Sequence, residues 1–182
     1  MIDELNAPGA AATHEAWWPR NLFEAGIGWI IVTRFKSRRT RAETSVFLVD
    51  THCLGVKNVI VHDGPVELYR SRILERAQQE DDVIAVEPCC ARKLVERAVA
   101  YALNLGFPPH PDYKKGARVF GGIRAEDCPR EFTFGQDGKP LYVRGPHETE
   151  LQAQAIIHHL MRRCGEGNFH YLVRLDNPDG EA

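Results

Sequence analysis

The chain has 182 residues, of which 43% are hydrophobic and 26% charged, with a formal net charge of −2. That balance fits one globular domain with a sizeable core and excludes a chain that is disordered along most of its length. The early apolar run Trp29-Ile30-Ile31-Val32 is far short of the roughly 20 residues of a membrane helix, and a slightly acidic chain has no global attraction to phosphate. Asp3 and Glu4 stand where a secretory signal would carry a basic region, so a cytoplasmic protein is expected, without a membrane role. Its cysteines, Cys53, Cys89, Cys90, Cys128 and Cys164, are then expected to be reduced and mostly buried.

Residues 1–16 show no hydrophobic period and read as a mobile arm, with packing beginning at Trp17 and Trp18. Residues 17–175 read as a single α+β domain and 176–182 as a frayed tail. Ile27, Trp29, Ile31, Thr33 and Phe35 alternate with a face that becomes polar at Arg34 and Lys36, the period of a strand leaving the core. Residues 37–43 form a basic hairpin tip. The return strand covers Thr44 to Asp50, bends near Leu54-Gly55 and continues from Val56 to His62, with Gly55 suited to a bulge. Asp63-Gly64-Pro65 predicts a helix start, and Val66, Tyr69, Ile73 and Ala77 follow at helical spacing.

Glu87-Pro88 opens a second helix with the stripe Ala91, Leu94, Val95, Ala98, Ala102 and Leu105, which Gly106 and Pro108-Pro109 end. Residues 107–130 are irregular and rich in Pro and Gly, the kind of segment that carries function. Phe132 and Phe134 are predicted to pair with Leu141 and Val143 across Asp137-Gly138, whose positive φ suits a tight hairpin. Pro146 opens a last helix with the stripe Ala153, Ile156, Ile157, Leu160 and Cys164, closed by Gly165, before an alternating strand at Phe169, Tyr171 and Val173. The order β-β-α-α-loop-β-β-α-β, built on antiparallel hairpins and amphipathic helices, predicts an α+β fold rather than a doubly wound parallel sheet.

Three blocks resemble segments of small uncharacterised bacterial proteins. They are Val46-Phe47-Leu48-Val49-Asp50 with Cys53-Leu54-Gly55-Val56-Lys57, then Gly106-Phe107-Pro108-Pro109-His110-Pro111-Asp112-Tyr113, then Phe134-Gly135-Gln136-Asp137-Gly138-Lys139-Pro140-Leu141-Tyr142. The resemblance spans most of residues 27–175 and implies a grouping; it brings no catalytic residue and no cofactor with it.

Four constellations could carry chemistry. Asp50, His52 and Cys53 with His62 and Asp63 offer carboxylates, imidazoles and a thiol for a divalent metal or for acid–base work; the structural alternative makes Asp50 a turn acceptor. The stiff loop Gly106 to Lys115 gathers His110, Asp112, Tyr113, Lys114 and Lys115, against a reading as helix terminator with Asp112 as a cap. The tip residues Arg34, Arg38, Arg39 and Arg41 could contact phosphates while Phe35 stacks on a base, against a simply solvated tip. Cys89-Cys90 at a helix start could supply a nucleophilic cysteine partnered by His110, though no thioredoxin-like or papain-like signature surrounds them. His158 and His159 lie about 100° apart on their helix and are expected at the surface. Neither Gly121-Gly122 nor Gly135 to Gly138 has the context of a phosphate loop.

Charge placed locally without a catalytic motif favours a non-enzymatic binding or adaptor protein. Its expected partner is RNA, DNA or a nucleoprotein complex, or another protein, engaged through Arg34, Arg38, Arg39, Arg41, His110, Tyr113, Lys114 and Lys115, with no cofactor. The alternative is a small metal-dependent hydrolase or nuclease, with Asp50, His110 and Asp112 catalytic and Asp50, His52 and Asp63 holding a divalent metal.

Overall fold

Strands β1 (His14–Pro19), β2 (Ile27–Lys36), β3 (Arg41–Asp50), β4 (Gly55–Pro65) and β5 (Val83–Val86) build one sheet in the order β4-β3-β2-β1-β5, with every neighbouring pair antiparallel. The computed structural model describes residues 13–172. Alternation along β2 assigns the two faces. Ile30 and Val32 enter the main core, where helix α2 (Pro88–Asn104) lays Cys90, Ala91, Leu94, Val95 and Ala98 against them. Ile31 and Phe35 enter a second core with Ala42, Tyr69 and Leu74, beneath the helical segment 66–80, α1. The sheet is therefore covered on both faces, and the fold is α+β.

A third cluster lies beside the sheet. Helix α3 (Glu150–Cys164) buries Ala153 and Leu160 against Cys53, Tyr142 and Phe169, next to a parallel pair of short strands, β6 (Leu141–Val143) and β7 (His170–Leu172). Thr149 starts α3 with a reciprocal capping box: its hydroxyl accepts from the Gln152 N–H and the Gln152 side chain accepts from the Thr149 N–H, satisfying two backbone donors at the helix start.

Several expectations are corrected. Residues 14–16, read as part of an arm, belong to β1, which sits between β2 and β5 with Ala16 buried. The segment from Thr44 to His62 is not one bent strand. It reverses at residues 51–54 into β3 and β4, while the register irregularity falls at Leu48/Val49. Asp63 does not cap a helix, because β4 continues to Pro65 and its carboxylate is bound by Lys36 and Arg41.

Phe132 and Phe134 do not pair with β6. Phe132 packs on Trp18 and Phe23, and Phe134 stacks on Tyr101, so aromatic burial removes the partner that β6 would have used. Asp137 and Gly138 do adopt positive φ, and the turn forms a single bridge between Gln136 and Lys139. The expected frayed tail at 176–182, residues 1–12 of the expected arm, and Val173 lie outside the described residues.

Candidate functional site

The reversal between β3 and β4 is organised by one side chain. Asp50 Oδ1 accepts from the backbone N–H of His52 (2.8 Å) and Cys53 (2.9 Å), and Oδ2 from that of Leu54 (3.1 Å). Three donors that would otherwise be orphaned in a tight turn are thereby satisfied. Burial pushes the Asp50 carboxyl above the ordinary aspartate range, against the pull of these three N–H groups and of Lys57. Gly55 follows at φ +65°, and a Cβ there would stand 2.7 Å from the Ala98 carbonyl oxygen, so glycine lets α2 approach the turn. The three sequence blocks meet at this point. The Gly135 N–H donates to Thr51 O (2.9 Å), the Leu141 N–H to His52 O (3.1 Å) and the His110 N–H to Val56 O (2.9 Å).

The third of these bonds covers part of edge strand β4 with the proline-rich loop, which protects an exposed sheet edge. His110 Nδ1 lies 3.2 Å from the Asp112 N–H and 4.0 Å from the Asp112 carboxylate, a contact local to the loop. Tyr113 packs against the main core, and burial raises its hydroxyl pKa. Asp112 makes no side-chain cap. His52 stands over Gly26, where a Cβ would come within 2.1 Å of its ring.

The metal set of the sequence reading is not assembled. Asp50 pairs with Gly55 at one end of β3, while Asp63 pairs with Glu43 seven positions away, roughly 24 Å along a strand. No motif in the sequence marks Lys57 and Arg144, which line a small cavity of about 180 Å³ beside the turn together with Asp50 and His52, or Glu148, which holds Lys57 there. Lys57 Nζ donates to Glu148 (2.8 Å), as do the Tyr142 hydroxyl (2.6 Å) and the Gly145 N–H (3.0 Å). No spacing links residue 57 to 148, so only the fold reveals this clasp.

Burial pushes Glu148 upward, but Lys57, Tyr142 and the Gly145 N–H outweigh it and hold the carboxyl below its ordinary value. A depressed carboxyl contributes stability above its unfolded pKa and loses it as pH falls through the folded value. The clasp should therefore stabilise the fold at neutral pH and weaken as the pH falls below the ordinary glutamate range. Thermal melts across pH should show an acid limb that is shallower in Glu148→Gln than in the parent.

The hairpin end carries a different arrangement. Arg34, Lys36, Arg41, Glu43 and Asp63 share the α2-side face by strand alternation. Arg34 and Lys36 pair with Glu43, while Lys36 and Arg41 pair with Asp63. Burial pushes Glu43 upward, but Lys36 and Arg34 more than offset it and lower its pKa. On the other face Arg39 and Arg70 hold Glu15, and Arg39 lies 3.9 Å over the Phe35 ring. Phe35 itself is 8% exposed and packs on Tyr69, so the base-stacking role expected of it is not available. The burial comes from α1, whose position the hairpin sequence does not reveal.

The loop segment reaches this same end. The Ser45 hydroxyl donates to Gly116 O (2.9 Å), and a Cβ at Gly121 would lie 3.2 Å from the Arg34 guanidinium. Lys114, Lys115 and Arg118 are exposed, and neither they nor Arg38 form an ion pair among the described residues.

The cysteines also depart from expectation. Cys90 and Cys128 form a disulfide with Cα atoms 4.9 Å apart, while Cys53, Cys89 and Cys164 are free. Segment 121–131 returns onto the first turn of α2 and brings together residues 38 apart in sequence. Burial pushes the Cys53 thiol up. Ala98 and Ala102, not the start of α2, lie against Gly55, so the rise of the helix puts roughly 15 Å between Cys89 and the turn that His110 borders. The imagined Cys89–His110 pair is therefore not formed. His159 is not a free surface residue either, since its Nε2 contacts Leu105 O (2.8 Å) and its ring packs on Phe107; His158 is exposed.

No helix among the described residues is long and apolar enough to cross a membrane. Comparison with known proteins finds no matching family model, no matching curated protein and no matching solved structure.

Proposed function

We propose that the protein is a non-enzymatic binding module that engages nucleic acid through the basic surface at its hairpin end. The observation that carries this reading is the meeting of the hairpin and the 114–118 segment at one end of one face, joined by the Ser45 to Gly116 bond. Arg34, Lys36 and Arg41 are partly neutralised by Glu43 and Asp63. Exposed Arg38, Lys114, Lys115 and Arg118 add charge with no carboxylate beside it in an ion pair among the described residues. Such a surface suits backbone phosphates rather than bases, because the aromatic ring of the hairpin is buried. The metal-dependent hydrolase is less favoured, as Asp50 spends both oxygens on backbone donors and stands far from Asp63.

The test is titration of labelled single-stranded RNA and duplex DNA by fluorescence anisotropy across a salt series. Changing Arg38, Lys114, Lys115 and Arg118 to Gln should weaken binding to both. It should also flatten the dependence of log K on log salt by about 3 if all four cations meet phosphates. Melting temperature should not move, since none of the four side chains is buried. A parent protein that fails to bind either polymer at low salt would remove this reading.

A further inference from the structure

We infer that Cys89, Cys90 and Cys128 form a thiol–disulfide exchange site in which Cys89 is the entry point for a small external thiol. Their three sulfur atoms all lie within 4.8 Å of one another. Cys90 and Cys128 are 4% and 2% exposed and bonded to each other, whereas Cys89 is free and only partly buried. An external thiol has no direct approach to the buried bond. Cys89 touches both environments.

The chemistry closes without an added oxidant. The Cys89 thiolate attacks Cys128 Sγ, the Cys89–Cys128 bond forms, the Cys90–Cys128 bond breaks, and Cys90 leaves as thiolate and takes up a proton. Attack on Cys128 is favoured over attack on Cys90, since joining adjacent residues inside a helix would strain the backbone. The disulfide now includes the accessible Cys89 sulfur. An external thiolate attacks there, giving a mixed disulfide and a Cys128 thiolate. A second external thiolate attacks the external sulfur of that mixed disulfide and releases Cys89. Two small thiols have become one small disulfide, and two electrons and two protons have passed to the protein.

The surroundings allow the bond to open without the loop departing. Lys93 Nζ donates to Cys128 O (3.2 Å) and to Glu131 (2.7 Å), Arg97 also holds Glu131 (3.2 Å), and Arg92 bonds Ile123 O. Lys93 lies one turn beyond Cys89 on α2, so these ties keep Cys128 beside the helix when the sulfurs are reduced. A disulfide that alone held two elements together would lose its partner on opening; this one does not.

The experiment uses the full chain and glutathione as the probe. Bond state is read by alkylation quench and peptide mass mapping under non-denaturing conditions. The parent should show the Cys90–Cys128 link, and its opening by glutathione should slow about tenfold or more in Cys89→Ser. Cys53→Ser should leave the rate unchanged. In Cys90→Ser, oxidation should produce a Cys89–Cys128 link, which measures the reach of Cys89 directly. Equal opening rates in the parent and Cys89→Ser, or no Cys89–Cys128 link in Cys90→Ser, would overturn the inference. So would three unoxidised thiolates holding one equivalent of zinc in the purified protein.

Discussion

Replacing Asp50 by Ala is expected to cost about 3 to 5 kcal/mol of folding stability. The carboxylate accepts from three consecutive N–H groups in a turn where it is itself only 7% exposed, and each orphaned buried donor costs about 1 to 3 kcal/mol. Water entering the space recovers part of that sum. The loss should appear in urea denaturation as a lower midpoint at unchanged slope. Asp50→Asn separates geometry from charge. Its carbonyl oxygen can keep the bonds to His52 and Cys53, while its amide NH2 meets the Leu54 N–H, donor against donor. An intermediate loss is therefore expected. A stability of Asp50→Ala within about 0.5 kcal/mol of the parent would show that the turn closes without this acceptor.

The same variant distinguishes two kinds of importance. Three backbone bonds from distant segments converge on residues 51, 52 and 56, so the turn is a junction, and damage there spreads to the loop at 106–113 and to the third cluster. The proposed phosphate surface lies at the far end of β3. Asp50→Ala should therefore retain anisotropy-detected binding at temperatures where it remains folded, while the four-residue cation variant should lose binding and keep its melting temperature.

What the sequence revealed follows the range over which the physics acts. The β2 alternation, the α2 stripe and its stop at Gly106, and the α3 stripe are local periodicities, and the structure bears them out. The Asp137-Gly138 turn was also legible, because positive φ is a property of two adjacent residues. Its strand pairing was not, since Phe132 and Phe134 are claimed by Trp18 and Tyr101 from elsewhere in the chain. Strand β1 was hidden for a related reason. His14 and Glu15 look like surface residues, yet His14 bonds Val119 O and Glu15 accepts from Tyr69 and Arg70. Burial at this place lowers the His14 pKa, so the polar flank of the strand is consumed internally. The electrostatics of the hairpin were misjudged in the same way. A run of arginines reads as free charge in sequence, whereas Glu15, Glu43 and Asp63 arrive from three strands to neutralise much of it.

Leu94→Ala should be the other severe core lesion, at about 2 to 5 kcal/mol. Leu94 is fully buried in the main cluster, at the centre of the stripe by which α2 covers the sheet, and a close-packed interior cannot collapse far enough to fill the space a leucine leaves. Ile156→Ala offers a graded comparison. Its position on the α3 stripe is as regular in sequence, but it is only partly buried beside the third cluster, whereas Leu160 on the same helix is fully buried. The expected order of loss is Leu94 and Leu160 first, with Ile156 smaller, because the transfer and cavity contributions both scale with burial rather than with periodicity. Urea midpoints for the three alanine variants test that order. A loss for Ile156→Ala equal to that for Leu94→Ala would mean that α3 packs more deeply than its exposure in this fold allows.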